Sequence, residues 1–133
     1  MKNLLFITLL ILVSCDSFYK CTIENKRNRD IYIHIKPSPK KYYDIEQSNG
    51  VIDTSKNDSS LYLKLQPKQN FTFYGSIGKK PTINSFPFKY LVIIYNQDTL
   101  KIKNKAHIIN LLKRDKDTRN YILEIDSAIF NNI

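Results

Sequence analysis

Apolar residues along this chain recur mainly with a period of two. Ile31, Ile33 and Ile35 alternate with Tyr32, His34 and Lys36, and Leu61, Leu63 and Leu65 alternate with Tyr62 and Lys64. Successive side chains of a strand point to opposite faces, so each segment predicts a strand with one buried face. Phe71 and Phe73 repeat the pattern over 71–75, and Tyr121, Leu123 and Ile125 repeat it over 121–125. Pro67 and its polar neighbours predict a turn that joins 61–65 and 71–75 into a hairpin. Residues 90–95 differ, because Tyr90, Leu91, Val92, Ile93, Ile94 and Tyr95 form an unbroken apolar run. Such a run predicts a central strand covered on both faces. A tight turn at 96–98 leads from it into a further strand over 99–103. Asn104 offers an N-cap oxygen, and Ile108, Ile109 and Leu112 fall at helical spacing, so a short helix is expected over 105–113.

The polar segments complete the outline. A first strand is expected from about Thr22, followed by a polar turn over 25–30. Pro37 and Pro39 end the strand at 31–36, since proline cannot donate to a ladder. Residues 37–60 form a long loop with a short strand or turn around Ile45 or Val51. Residues 76–88 form a second loop, and 113–117 are read as a polar loop. The sum is six or seven short strands and one short helix. The fold class expected is mainly β: a small antiparallel β-sandwich or barrel, immunoglobulin-like in the loose sense. The chain has no Trp, which argues against a true antibody-type domain.

The chain begins with a different pattern. Lys2 precedes an apolar run over 4–13 that is broken only by Thr8, and Ser14 and Cys15 follow. A run of this length is half of the ~20 residues that span a bilayer, and it suits the apolar segment of an export signal. Leu12, Val13, Ser14 and Cys15 resemble the lipobox of bacterial lipoproteins. The resemblance covers only the leader and cleavage site. It implies a signal peptide over 1–14, removal of that peptide, and acylation of Cys15 as the new N-terminus. Each buried CH₂ contributes about 0.8 kcal/mol, and two or more chains together anchor a protein stably. Residues 15–20 would then be a lipidated end and short tether, and 21–133 a single β-rich domain. The abundance of Ile, Asn and Lys also resembles that of small envelope lipoproteins of the Bacteroidetes. The implied location is the cell membrane or outer membrane, lipid-anchored and outside the cytoplasm.

The full sequence of 133 residues carries 21 Lys and Arg against 12 Asp and Glu, a formal charge of +9. Export makes nucleic acid an unsuitable partner for this charge and favours anionic lipid, acidic glycan or an acidic protein surface. The basic residues group as Lys26, Arg27 and Arg29; as Lys36, Lys40 and Lys41; as Lys79 and Lys80; and as Lys113, Arg114, Lys116 and Arg119. The second and third groups are the candidate partner-binding loops: Lys36, Lys40, Lys41, Tyr42, Tyr43, Lys79 and Lys80. Tyr19, Tyr62 and Tyr74 join Tyr42 and Tyr43 as possible sugar or protein contacts, although Tyr is also a good strand former.

Catalytic constellations are not evident in the sequence. His34 and His107 are the two imidazoles, and neither sits in a nucleophile motif. His/Cys/Asp/Glu spacing of a metal site is missing, and Asp115 and Asp117 lie among cations that oppose a calcium ion. No catalytic residue, metal or cofactor is therefore expected, apart from the covalent lipid on Cys15. Cys21 reads as a quiet, buried thiol. The function expected is a non-catalytic, membrane-anchored envelope lipoprotein that binds a protein partner. An immunity or inhibitor lipoprotein directed at a toxin or hydrolase is the alternative, and a glycan-acting enzyme stands behind both.

Overall fold

The structure, a computed structural model, describes residues 18–37, 52–55, 60–77 and 81–131. Among these residues nine strands form in the order β1 (Phe18–Asn25), β2 (Ile31–Lys36), β3 (Ile52–Ser55), β4 (Ser60–Leu65), β5 (Asn70–Ile77), β6 (Tyr90–Tyr95), β7 (Asp98–Ile102), β8 (Lys113–Arg114) and β9 (Tyr121–Ile125). Among the described residues one α-helix, α1 (Lys105–Leu111), lies between β7 and β8, and a 3₁₀ turn (Ile129–Asn131) follows β9. The strands make a four-stranded sheet in the order β5-β1-β9-β8 and a five-stranded sheet in the order β3-β4-β2-β6-β7. The protein is thus mainly β, a small two-sheet sandwich and not a closed barrel. Every pairing is antiparallel except that of β1 with β9, which is parallel.

The core lies where the period-two positions meet. Ile31, Ile33 and Ile35 of β2 and Leu61, Leu63 and Leu65 of β4 face Cys21 and Ile23 of β1, Phe71 and Phe73 of β5, and Leu123 and Ile125 of β9. Ile108 of α1 joins them. Full burial of an aliphatic or Phe side chain contributes about 1.5–3 kcal/mol, so this alternation is what selects the register of each strand.

Several expectations are corrected. The segments 61–65 and 71–75 do not form a hairpin: β4 pairs with β2 and β3, and β5 pairs with β1. The connection at 66–69 crosses from one sheet to the other, so Leu63 and Phe73 meet through the core and not across a ladder. Lys68 at φ 66° and a Gln66 N–H donated to Gln69 Oε1 at 2.8 Å shape that corner. The helix stops at Leu111, short of 113, because Leu112 turns extended (φ −69°, ψ 124°) and Lys113 and Arg114 pair with β9. Asn104 caps it as expected, accepting from Ala106 N–H at 2.8 Å. The first strand begins at Phe18, inside the span expected as tether, since β1 pairs with β5 from Phe18 onward. Of the short strand or turn expected around Ile45 or Val51, both positions lie outside the described residues, and β3 begins next to the second, at Ile52.

Part of the second loop belongs to the core. Phe86 and Phe88 are buried, and their rings meet each other edge to face at 4.7 Å and meet Phe73 in the same way at 5.6 and 5.0 Å. Lys105 Nζ donates to the Phe86 carbonyl at 2.8 Å and to the Ile83 carbonyl at 3.2 Å, tying the start of α1 to this plug.

Candidate functional site

The two outer faces of the sandwich are chemically unlike. On the four-stranded sheet the outward residues around Ile122 are mostly polar, and several are paired. Lys26 meets Glu24 at 2.9 Å, Lys113 meets Glu124 at 2.7 Å, and the Thr22 and Thr72 hydroxyls lie 3.1 Å apart. On the five-stranded sheet the polar phase of β2 and β4 carries Tyr32, His34, Tyr62 and Lys64, and β6 adds Tyr90, Val92 and Ile94. Register builds the centre of this face. His34 stands opposite Tyr62 on one side and opposite Val92 on the other; Tyr32 stands opposite Lys64 and Ile94.

The rings are packed together. His34 stacks on Tyr62 at 4.3 Å with planes 7° apart and meets the edge of Tyr90 at 5.5 Å. Such pairs contribute about 0.5–1.5 kcal/mol beyond their area. Lys64 Nζ bonds Asp30 at 2.8 Å and lies 5.9 Å from the Tyr32 ring centroid. The result is a shallow depression of ≈ 400 Å³ lined by Tyr32, His34, Tyr62, Lys64, Val92 and Ile94. Tyr32, Tyr62 and Ile94 are 51%, 40% and 39% exposed, and among the described residues only Ile83 is a comparably exposed large apolar side chain. Completing their burial would add part of the about 1.5–3 kcal/mol that full burial of such a side chain contributes. Together these side chains leave a partly exposed apolar patch on this face.

The sequence-predicted site residues are distributed as follows. Lys36 ends β2, is exposed, and its carbonyl accepts from Lys89 N–H at 3.1 Å. It stands opposite Tyr90, at the margin of the aromatic face. Cys15, Lys40, Lys41, Tyr42, Tyr43, Lys79 and Lys80 lie outside the described residues. The first and fourth basic groups are in part structural: Lys26 is in its ion pair, the Arg27 guanidinium lies 3.9 Å from the Tyr95 ring centroid, and Lys113 bridges Glu124. The expectation that β6 is covered on both faces is corrected, because its outer side is this open patch. Its unbroken apolar run was the signal available in sequence, together with aromatic residues at the polar phase of β2 and β4.

Among the described residues no three His, Cys, Asp or Glu side chains gather as metal ligands, and no helix is long and apolar enough to cross a membrane. Thr118 Oγ1 donates to Asp115 at 2.6 Å and Asp117 N–H donates at 3.0 Å; these bonds hold the Asp115 carboxyl below the usual carboxylate range. Asp115 thereby closes its own turn. Cys21 is a free thiol with no exposed surface, and burial pushes its pKa up to about 12. The class that fold and surface define is a two-sheet β-sandwich with one aromatic face. A scan against protein-family models, a search of curated proteins and a search of solved structures found no match to this chain.

Proposed function

We propose that this protein is a non-catalytic lipoprotein of the cell envelope, anchored through lipid on Cys15, whose β-sandwich binds a protein partner on the outer face of the five-stranded sheet. The observation that carries the binding surface is the contiguous exposure of Tyr32, Tyr62 and Ile94 around the stacked His34. Tyr is favoured at protein contacts, because it presents large area at low conformational cost and keeps a polar tip. Lys36 and Lys101, both exposed, border the aromatic centre. The fitting partner therefore presents apolar or aromatic side chains flanked by carboxylates. The anchor is supported by the resemblance of residues 12–15 to a lipobox.

The test is photocrosslinking in native membranes with the full-length chain. A photoreactive residue at position 62 should capture one protein species. The same residue at position 72, on the opposite sheet, should not. The triple variant Tyr32→Ser, Tyr62→Ser and Ile94→Ser should lose that species in a pull-down while keeping the wild-type far-UV circular dichroism. Capture of the same proteins from both faces, or undiminished capture by the folded triple variant, would sink the assignment.

A further inference from the structure

The strand directions place one set of termini together. β1 starts at Phe18 opposite Ile77, the end of β5, and Lys20 N–H bonds Asn120 Oδ1 at 3.0 Å beside the start of β9. On the other sheet β2 ends at Lys36 opposite Tyr90, the start of β6, and β7 ends at Ile102 opposite Leu91. The Phe86–Phe88 plug, held by Lys105, closes this same end. The end of the sandwich that carries the beginning of β1 therefore also carries Lys36, Lys89, Lys103, Arg114 and Lys116, all exposed. Asp115 and Asp117 are the carboxylates of the 115–120 turn at this end, and the oxygens of Asp115 are engaged by its own turn.

The far end is nearly balanced, five cations against four carboxylates. There Lys26 is paired with Glu24 and Lys64 with Asp30, and Arg27 lies on Tyr95. Asp98 and Asp126 add two carboxylates to this end beside Arg29 and Lys68, and Asp126 lies 3.9 Å from Lys113. Among the described residues the net positive charge is thus polarised along the strand axis toward the beginning of β1.

Only Asp16 and Ser17 separate Cys15 from Phe18. Three residue steps at ~3.3–3.6 Å each reach about 10 Å. That matches the Debye length of ~8–10 Å at ordinary ionic strength, so an acyl chain on Cys15 would hold this end within range of the headgroups. We propose that the end formed by Lys36, Lys89, Lys103, Arg114 and Lys116 is a docking surface for anionic lipid headgroups. It seats the sandwich on the bilayer with its strands upright and turns the aromatic face sideways. This rests on the lipoprotein reading of Cys15. Each Lys or Arg near an anionic surface adds to the attraction, and a basic patch supplements acyl anchoring.

The test uses the full chain purified from its membrane in nanodiscs, one set of phosphatidylcholine alone and one with a third of phosphatidylglycerol. Lysines are acetylated briefly and read by mass spectrometry, and the N-terminal peptide is weighed for its acyl groups. In the anionic discs Lys36, Lys89, Lys103 and Lys116 should be acetylated about fivefold more slowly, the factor that one headgroup contact supplies. Lys26 and Lys68 should not change, and high salt should abolish the difference. An acylated protein with the same footprint in both lipids overturns the docking surface and leaves the anchor standing. An N-terminal peptide without lipid overturns the anchor, and the docking proposal falls with it.

Discussion

Asn25 is a polar residue with no exposed surface, and all of its hydrogen-bonding groups are used. Its Nδ2 donates to the carbonyls of Arg29 and Leu65 at 2.9 Å each, and its Oδ1 accepts from Arg27 N–H at 2.8 Å. Its backbone binds Gln69 and Lys68 in the opposite turn, so one side chain and its peptide bolt two connections together. Replacement by Ala would strand the buried Leu65 carbonyl, the part-buried Arg29 carbonyl and the Arg27 N–H. At about 1 kcal/mol or more per lost bond, Asn25→Ala should cost about 2–4 kcal/mol in urea unfolding. Cys21 makes the second case at this scale. Burial favours its neutral thiol, with the pKa raised from 9.0 to about 12. An acid whose folded pKa is raised adds stability that is complete below the unfolded pKa and is lost as pH climbs toward the folded one. Stability should therefore fall between pH 9 and about 12, and Cys21→Ala should flatten that slope. Iodoacetamide at pH 8 should label the wild-type thiol only once urea has unfolded the chain. Rapid labelling of the native protein would contradict its burial.

At the scale of elements, the connection after β5 matters more than its composition suggests. Phe86 and Phe88 come from an irregular segment, yet with Phe73 they form the largest aromatic cluster of the core. Truncation of a buried Phe typically costs 3–5 kcal/mol. Phe88→Ala should fall in that range, while Ile83→Ala, at a 57% exposed position of the same segment, should change stability by less than about 0.5 kcal/mol. Equal effects of the two would show that the plug does not pack as described. This segment was hard to read because irregular backbone has no hydrophobic period. The strands were readable for the opposite reason. Ile31, Ile33 and Ile35, Leu61, Leu63 and Leu65, and Tyr121, Leu123 and Ile125 alternate, and alternation has one physical solution when one face is buried. The false hairpin between β4 and β5 came from the same simplicity. A short polar connection with Pro67 fits either a turn within one sheet or a crossing between two, and only the pairing of β5 with β1 separates them.

For the whole molecule, two surfaces stand at right angles. The aromatic depression lies on the side of the five-stranded sheet; the cationic end lies where β1 begins and β2 and β5 finish. Each was partly visible in the sequence. The apolar run of β6 and the tyrosines of β2 and β4 were legible as residues, but their union required knowing that His34 stands opposite both Tyr62 and Val92. Similarly, Lys36, Lys89, Lys103 and Lys116 are scattered over 80 positions of the chain and become one surface only through strand direction. The sequence by itself determined the β class, the inward phase of most strands, the capped helix and the lipobox-like start, because these depend on neighbours within a few residues. Tertiary structure alone decided which strands pair, that the first and last long strands run parallel, that Asn25 and Phe88 are interior, and which outward residues share a face. Those outcomes depend on contacts between residues far apart in the chain, whose energies local periodicity does not encode.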